Sequence, residues 1–578
     1  MKFASVSSCF DTIDKVSGRL EMTELLAKLL TACDASEVEM VSNLVLGQLY
    51  PPYKSVQFNI ASALMIKVGA LLLAQSEEHI KERVKELGDL GLVIAEGDWV
   101  TSSNVTVHQV YDALVALANI TGVGSQEEKI EAVHTLLRTL DPVSAKFVVR
   151  IILGKLRLGF SDMTLIDALS WMAVGDKSIR DDIENGYNIC VDIGYIARIL
   201  KQDGIDAVRH MQIQIGTPIR PAAAERLPTA RAIIEKIGDC VAQPKLDGFR
   251  LQIHIDNRDK KQSHIFFYSR NLIDMSHMFP DLVLVLKNVP VTTMIAEGEA
   301  IVFDPNTGSF LPFQETVKRK RKHGIEQAVT DFPLQLFLFD VLYLNGQELL
   351  SQTHEHRREN LLAIFKNNTG SIVQVIEEKP MHTAQELENY FKANIAAGLE
   401  GLVVKKSDSV YQPGKRNFNW IKLKREEQGH LEDTIDCVVL GYYAGEGKRA
   451  QFGIGAFLVG VYNKKEDRFE TVAKIGTGLK DPDWHELKKK CDALRVSIKP
   501  KNVACAKDLY PDVWVAPELV VMVRADEITI SPVHTAAKTD EHLGYALRFP
   551  RFMGYRDDKG AYEATTDQEI VRLYQDQF

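Results

Sequence analysis

From residue 1 to 222, apolar side chains recur at helical spacing. In LEMTELLAKLLTAC, Met22, Leu25, Leu26, Leu29 and Leu30 form the i, i+3, i+4 stripe of one buried helix face. The same style runs through SAKFVVRIILGKLRLGFSDMTLIDALSWMA, where Arg150, Lys155 and Arg157 interrupt the apolar run. On spacing alone these three read as cations snorkelling from a packed helix. GTPIRPAAAERLPTARAIIEKIG carries Pro218, Pro221 and Pro228 and reads as a linker. The period then changes. Phe249, Leu251, Ile253 and Ile255 alternate with Arg250, Gln252 and His254, the mark of a half-buried strand. HIFFYSRN, TTMIAEGEAIVFD, LQLFLFDVLYLNG and GLEGLVVKKSD predict further strands between helical or polar stretches. Past KREEQGH, the segments DCVVLGYYAG, GAFLVGVYN, FETVAKIGTG and PELVVMVRADEITISP are short strands with Gly-rich turns, which predicts a small β-barrel. The expected fold is therefore multidomain: an all-α domain over 1–222, an α/β domain over 223–426 and a β-barrel over 427–578.

Composition changes this picture little. The chain has 578 residues, 45% hydrophobic and 25% charged, enough for several globular cores. A net charge of -9 excludes a globally basic protein, so any polyanion must be bound by local patches. Seven scattered cysteines without a CxxC pair argue for a reduced interior and against a zinc ribbon. The start, MKFASVSSCFDTIDK, lacks a signal peptide's apolar core, and ASALMIKVGALLLA is broken by Lys67 and too short to span a bilayer. A cytoplasmic protein is expected, nucleoid-associated if prokaryotic, with no membrane partner.

The chemistry starts at AQPKLDGFR, where Pro244 and Gly248 bracket Lys245 and Asp247. Lysine is a nucleophile only when neutral, and neutralising it at pH 7 costs about 4–5 kcal/mol unless the site shifts it. Neighbouring cations and burial favour the neutral amine, whereas a close carboxylate opposes it. Asp247 therefore makes sense facing a ligand or metal rather than pairing with Lys245. Alone, KxDG is a weak signal. It gains weight from further polar clusters at strand ends in one order: Arg270 in YSRN, Glu299 in AEGEAIVF, Phe339 and Asp340 in FLFDVLY, Glu400 in EGLVVKK, and Lys422 and Lys424 at period two in NWIKLKR.

These motifs, with LRFPRFMGYRDDK and the helical ILGKLRLGFSD, resemble the ATP-dependent DNA ligases of archaea and some bacteria, within the covalent nucleotidyltransferase superfamily. The resemblance spans nearly the whole chain and implies a helical DNA-binding domain, an adenylation domain and a C-terminal OB-fold. It implies that Lys245 attacks the α-phosphorus of ATP to form a lysyl-adenylate. AMP then passes to the 5′-phosphate of a nick and is displaced by the 3′-hydroxyl. By the same resemblance, Arg250 and Glu299 meet the ribose, Phe339 stacks on adenine, and Lys422, Lys424 and Arg416 hold phosphate. Gln243 faces the adenine amine, where many relatives carry Glu, which leaves purine selection open. Asp247, Glu299 and Glu400 are expected on Mg²⁺, with Mn²⁺ as the substitute. Arg270 is expected on AMP or the nick 5′-phosphate, and Arg556 and Lys559 on the ATP β- and γ-phosphates after a hinge motion near KREEQGH. Glu297 replaces the usual Asp before Gly-Glu, a mild change.

The partner implied is nicked duplex DNA, bound by a monomer and open to recruitment by a sliding clamp. The run KRKRK offers Lys318, Arg319, Lys320 and Arg321 as DNA contacts, joined by Lys155 and Arg157. Three rivals stand beside this reading. An NAD-dependent ligase would share KxDG, but neither its nicotinamide-binding domain nor a four-cysteine site is visible. A capping enzyme or RNA ligase would lack the helical N-terminal region. A non-catalytic DNA scaffold would have no need of Lys245, Glu299 and Lys422 together. DNA binding through phosphates should weaken steeply as salt rises, which a binding titration over salt concentration reads directly.

Overall fold

A computed structural model gives the protein's structure and describes residues 1–16, 18–99, 104–259, 262–304, 310–311, 313–319, 321, 324–366, 372–424 and 434–577. The chain divides into two compact units, Met1–Ala61 with Val100–Arg425, and Ser62–Trp99 with Glu426–Phe578. Among the described residues no helix is long and apolar enough to cross a membrane.

In the first unit, the helical pattern of the N-terminal region is realised as separate helices. Arg19–Ala32 buries Met22, Leu26, Leu29 and Leu30. Ala35–Leu44 starts at a capping box in which Asp34 accepts from the Glu37 backbone and Glu37 reaches back. The long apolar run breaks into Pro142–Ile152 and Asp162–Val174, with Lys155 and Arg157 in the connection. Arg150 does not snorkel: it is 4% exposed and donates to Asp14 at 3.0 Å, beside Lys146 on Asp11 and Asp14.

The rest of this unit is two sheets. One runs in the order Ala223–Arg226, Arg416–Lys424, Gly401–Lys405, Cys240–Lys245, Lys379–Met381. The other runs His264–Ser269, Phe249–Asp256, Thr293–Val302, Leu334–Leu344, Gln347–Glu348. Lys245 ends a strand of the first sheet and Phe249 begins one of the second, so the KLDG turn carries the chain between sheets. Gly248 is required there: a Cβ would lie 2.3 Å from the Ala300 carbonyl oxygen. The proline-rich segment expected as a linker is instead built into the sheets. Ala223–Arg226 is a strand, Ile219 exchanges two hydrogen bonds with the Gln252 amide, and the Ala222 N–H donates to the Tyr411 hydroxyl at 2.8 Å.

Arg319, expected on DNA, is a core residue. Its guanidinium is 1% exposed, donates to Asp281 at 2.7 Å and reaches the Met278 carbonyl at 3.1 Å. A local charge count placed it on the surface, but packing at Asp281 decided otherwise. Lys318 and Arg321 remain on the surface, Lys318 paired with Glu315. Lys320 lies outside the described residues, as do residues 425–430 of the expected hinge.

The second unit has its own core, built on the strands Ile435–Tyr443, Ala456–Asn463 and Arg468–Ile475, and covered by Trp484, Leu487 and Cys491 of the helix Asp481–Ala493. The expected barrel does not close. The sheet curls from Arg495–Val496 to Val503–Ala504, both two-residue edges, and among the described residues no ladder joins them. Glu527–Ser531 and Gly544–Arg548 pair with each other as a separate ladder, Tyr545 also bridges to Ala536, and Thr471 bonds to Thr535 and Ala536 across the gap beside them.

The buried guanidinium yields a stability test. Arg319→Ala strands the Asp281 carboxylate and should cost about 3–5 kcal/mol, whereas Arg321→Ala should stay within about 0.5 kcal/mol. Chemical unfolding of the two variants against the unaltered chain checks this.

Candidate active site

The first sheet floors a cleft of about 1130 Å³, and strand register orders its residues. Gly401 pairs with both Lys245 and Lys424, Val403 with Gln243 and Lys422, and Lys405 with Val241 and Trp420. Alternation aims Arg416, Trp420, Lys422 and Lys424 at the cleft from one face of one strand, and Gln243 and Lys245 from the strand on the far side of Gly401–Lys405. Successive rungs are about 7 Å apart along the strands. The rungs thus run from an aromatic end at Trp420 to a cationic end at Lys245 and Lys424.

At the aromatic end, Phe339 and Trp420 meet edge to face with centroids 6.0 Å apart. Lys405 sits beneath them, its Nζ 4.3 Å from the Trp420 centroid and donating to the Phe339 carbonyl at 3.0 Å. Burial pushes the Lys405 amine down to about 8 against the pull of Asp340 and Glu378. Behind lies a buried polar layer in which Arg357 grips Asp340 at 2.7 and 3.0 Å. In the same layer Glu378 accepts from Gln243 Nε2 at 2.6 Å and from His354 at 2.8 Å.

Arg250 lies over Phe339 and Trp420 and is held by Glu297, which takes both bonds of its NH2 at 2.9 Å and accepts from the Tyr411 hydroxyl at 2.9 Å. Its buried Nε has no partner among the described residues, a donor left for a ligand oxygen. Glu299 accepts the Gly248 N–H at 3.2 Å, and burial raises its carboxyl to about 7 despite Lys245 and Arg250.

The nucleophile candidate has a partner. Lys245 is paired with Glu400 rather than with Asp247, and Lys424 donates to the other oxygen of Glu400 at 2.9 Å. Burial works against the Glu400 carboxylate, but the two lysines outweigh it and hold the group below its ordinary range. Burial, then Lys424, Arg416, Lys245 and Arg270, lowers the Lys422 amine, the signature of cations gathered to receive an anion. Asp247, Glu299 and Glu400 all line the cleft. Among the described residues no three acids gather closely enough to cage an ion.

A family model described as "ATP dependent DNA ligase domain" matches residues 221–424, one described as "DNA ligase N terminus" matches 2–170, and one described as "ATP dependent DNA ligase C terminal region" matches 450–559. A "Probable DNA ligase" of Dictyoglomus turgidum is 44% identical over 100% of this chain and 98% of its own. A "DNA ligase" of Sulfolobus acidocaldarius is 35% identical, with the same two coverages. The chain belongs to the ATP-dependent DNA ligases. The solved structure "Pmar-Lig_PreS3" shares the ligase's fold, with a TM-score of 0.57 at 18% identity over 95% of this chain and 99% of that one.

The ligase brings together in one cleft Gln243, Lys245, Asp247, Arg250, Arg270, Glu299, Phe339, Glu400, Arg416, Lys422 and Lys424, every adenylation-domain residue singled out from sequence for ATP or metal. Arg556 and Lys559 belong to the second unit, where Asp436 takes Arg556 at 3.0 Å and Lys559 at 2.6 Å. Sequence reasoning missed Trp420 as an aromatic wall, although its period-two relation to Lys422 could have revealed it. It also missed Tyr411, Glu378, His354 and the N-terminal residues Ser55, Gln57 and Asn119, which line the cleft from far away in sequence.

Glu299 makes stability pH-dependent. Between its ordinary 4.5 and about 7 the folded ligase holds a proton that the unfolded chain has lost, so this group's contribution falls as pH rises through that window. Glu299→Gln stays neutral throughout. Its nucleotide-free melting temperature should exceed that of the unaltered ligase near pH 8, with the gap closing as pH falls toward 4.5.

Proposed function

We propose that this ligase seals 3′-hydroxyl/5′-phosphate nicks with Lys245 as the nucleophile, in a cleft that reads the base at one end and the phosphates at the other. The observation that carries this reading is the register that lines up Trp420, Lys422 and Lys424 on one face beside Gln243 and Lys245. Adenine lies between Phe339 and Trp420 and the Gln243 amide, with its ribose toward Arg250 and Glu299. The phosphates meet Lys422, Lys424, Arg416 and Arg270. A carboxylate in contact keeps an ammonium charged, so Glu400 must leave Lys245 before attack. Lys424 and Lys422 then surround the amine and the incoming phosphates with positive charge.

The Lys245 nitrogen bonds the α-phosphorus as the bond to the bridging oxygen breaks and pyrophosphate departs. A nick 5′-phosphate oxygen next takes the phosphorus from Lys245. The 3′-hydroxyl finally attacks the 5′-phosphorus and AMP leaves. Lys422, Lys424 and Arg270 stabilise the developing oxyanion charge in each step. Mg²⁺, held by Glu400, Asp247 and Glu299 together with phosphate oxygens, would screen phosphate charge, and Mn²⁺ suits the same oxygens.

The three domains are assigned to 1–222, 223–426 and 427–578, the last an OB-fold whose sheet is curled but open. Lys155, Arg157, Lys318 and Arg321 are assigned to the DNA backbone, with Lys320. Arg556 and Lys559, after release from Asp436, are assigned to the β- and γ-phosphates. We assign a cytoplasmic monomer, open to a sliding clamp.

Incubation with α-labelled ATP, GTP or NAD and Mg²⁺, followed by a denaturing gel, tests the reading. An acid-labile adduct from ATP, reversed by pyrophosphate and absent in Lys245→Ala, is expected. Lys245→Ala should still seal a pre-adenylated nick measurably. Labelling from NAD alone, or complete loss of that last step, overturns it.

A further inference from the structure

We propose that Glu378 is a positioning residue for purine selection, fixing the Gln243 amide with its oxygen toward the base. This rests on the reading that places adenine beside Gln243. An amide's oxygen and nitrogen are alike in shape, so only its partners decide which end points where. One end of Gln243 lies 2.6 Å from Glu378 Oε2. A carboxylate has no proton to give, so that end is the NH2. Although burial opposes it, His354 and the nearby cations Lys405 and Arg358 hold Glu378 down at about 2, far from protonation at neutral pH.

His354 closes the lock. Its Nε2 lies 2.8 Å from the same Glu378 oxygen. Burial and Lys405 lower the imidazole, and a neutral ring facing a carboxylate places its one proton on Nε2. Two donors thus converge on one oxygen. Flipping Gln243 would set a carbonyl against that oxygen at hydrogen-bond distance. Backbone pairing holds the geometry, because Ala242 is in register with Lys379, each next to a partner in the lock. Gln243 is 2% exposed yet lines the cleft, and among the described residues no donor reaches its Oε1. That oxygen can accept from the 6-amine of adenine. The 6-carbonyl of hypoxanthine or guanine would meet it oxygen to oxygen.

The test uses the full chain with α-labelled ATP and α-labelled ITP, which carries a carbonyl in place of the amine. Glu378→Gln replaces an acceptor-only partner with one that serves either amide orientation. The ratio of ATP to ITP labelling should fall by about tenfold or more. Because the readout is a ratio, loss of folded protein cancels. Gln243→Glu alone faces two carboxylates and should weaken labelling from both nucleotides. The exchange Gln243→Glu with Glu378→Gln reverses donor and acceptor and should restore the ratio. An unchanged ratio in Glu378→Gln, or failure of the exchange to restore it, overturns the proposal while leaving nucleotide transfer intact. An unaltered chain that labels from neither nucleotide overturns the nucleotide-transfer reading, and this inference with it.

Discussion

A single carboxylate held between two lysines organises the cationic end of the cleft. Glu400 binds the Lys245 ammonium on one oxygen and Lys424 on the other. That pairing partly neutralises the cationic end of the cleft. Burial, then the like charges of Lys424, Arg416, Lys245 and Arg270, lowers the Lys422 amine at this end.

That arrangement depends on backbone geometry at two points. Gly248 lets the chain pass against Ala300 and move from one sheet to the other just after Lys245. Gly401 has φ +141, and a Cβ there would lie 2.1 Å from the Leu423 carbonyl oxygen. It follows Glu400 and pairs with Lys245 and Lys424, so all three charged groups hang from one tight crossing of strands. A side chain at either glycine would move the groups that carry the chemistry.

At the opposite end the structure keeps charges where an apolar wall would seem simpler. Asp340, Arg357, His354, Glu378 and Lys405 are buried behind the aromatic pair. Burying ions is unfavourable unless each is paired, and here most of the polar atoms are. The return is orientation: Lys405 pins the Phe339 backbone and Glu378 pins the Gln243 amide. Arg250 is likewise oriented by Glu297, which Tyr411 holds in turn.

The amino-acid order by itself determined which residues could share a face. Period two in NWIKLKR and the alternation around Lys245 specify side-chain direction through local backbone geometry alone, and the strands of both units follow from it. Which strands become neighbours is a long-range matter, and only the tertiary structure decided it. Glu400 rather than Asp247 meets Lys245 because sheet order sets Gly401 beside it. Arg319 is drawn from a basic run into the core because Asp281, 38 residues away, waits there as a partner. The C-terminal sheet stays open because its edges are two-residue strands that no local pattern announces. Glu378 and His354 reach Gln243 across more than a hundred residues through the pairing of Lys379–Met381 with Cys240–Lys245. Periodicity acts over a few residues. Partnership between buried charges is settled only once the chain has closed on itself.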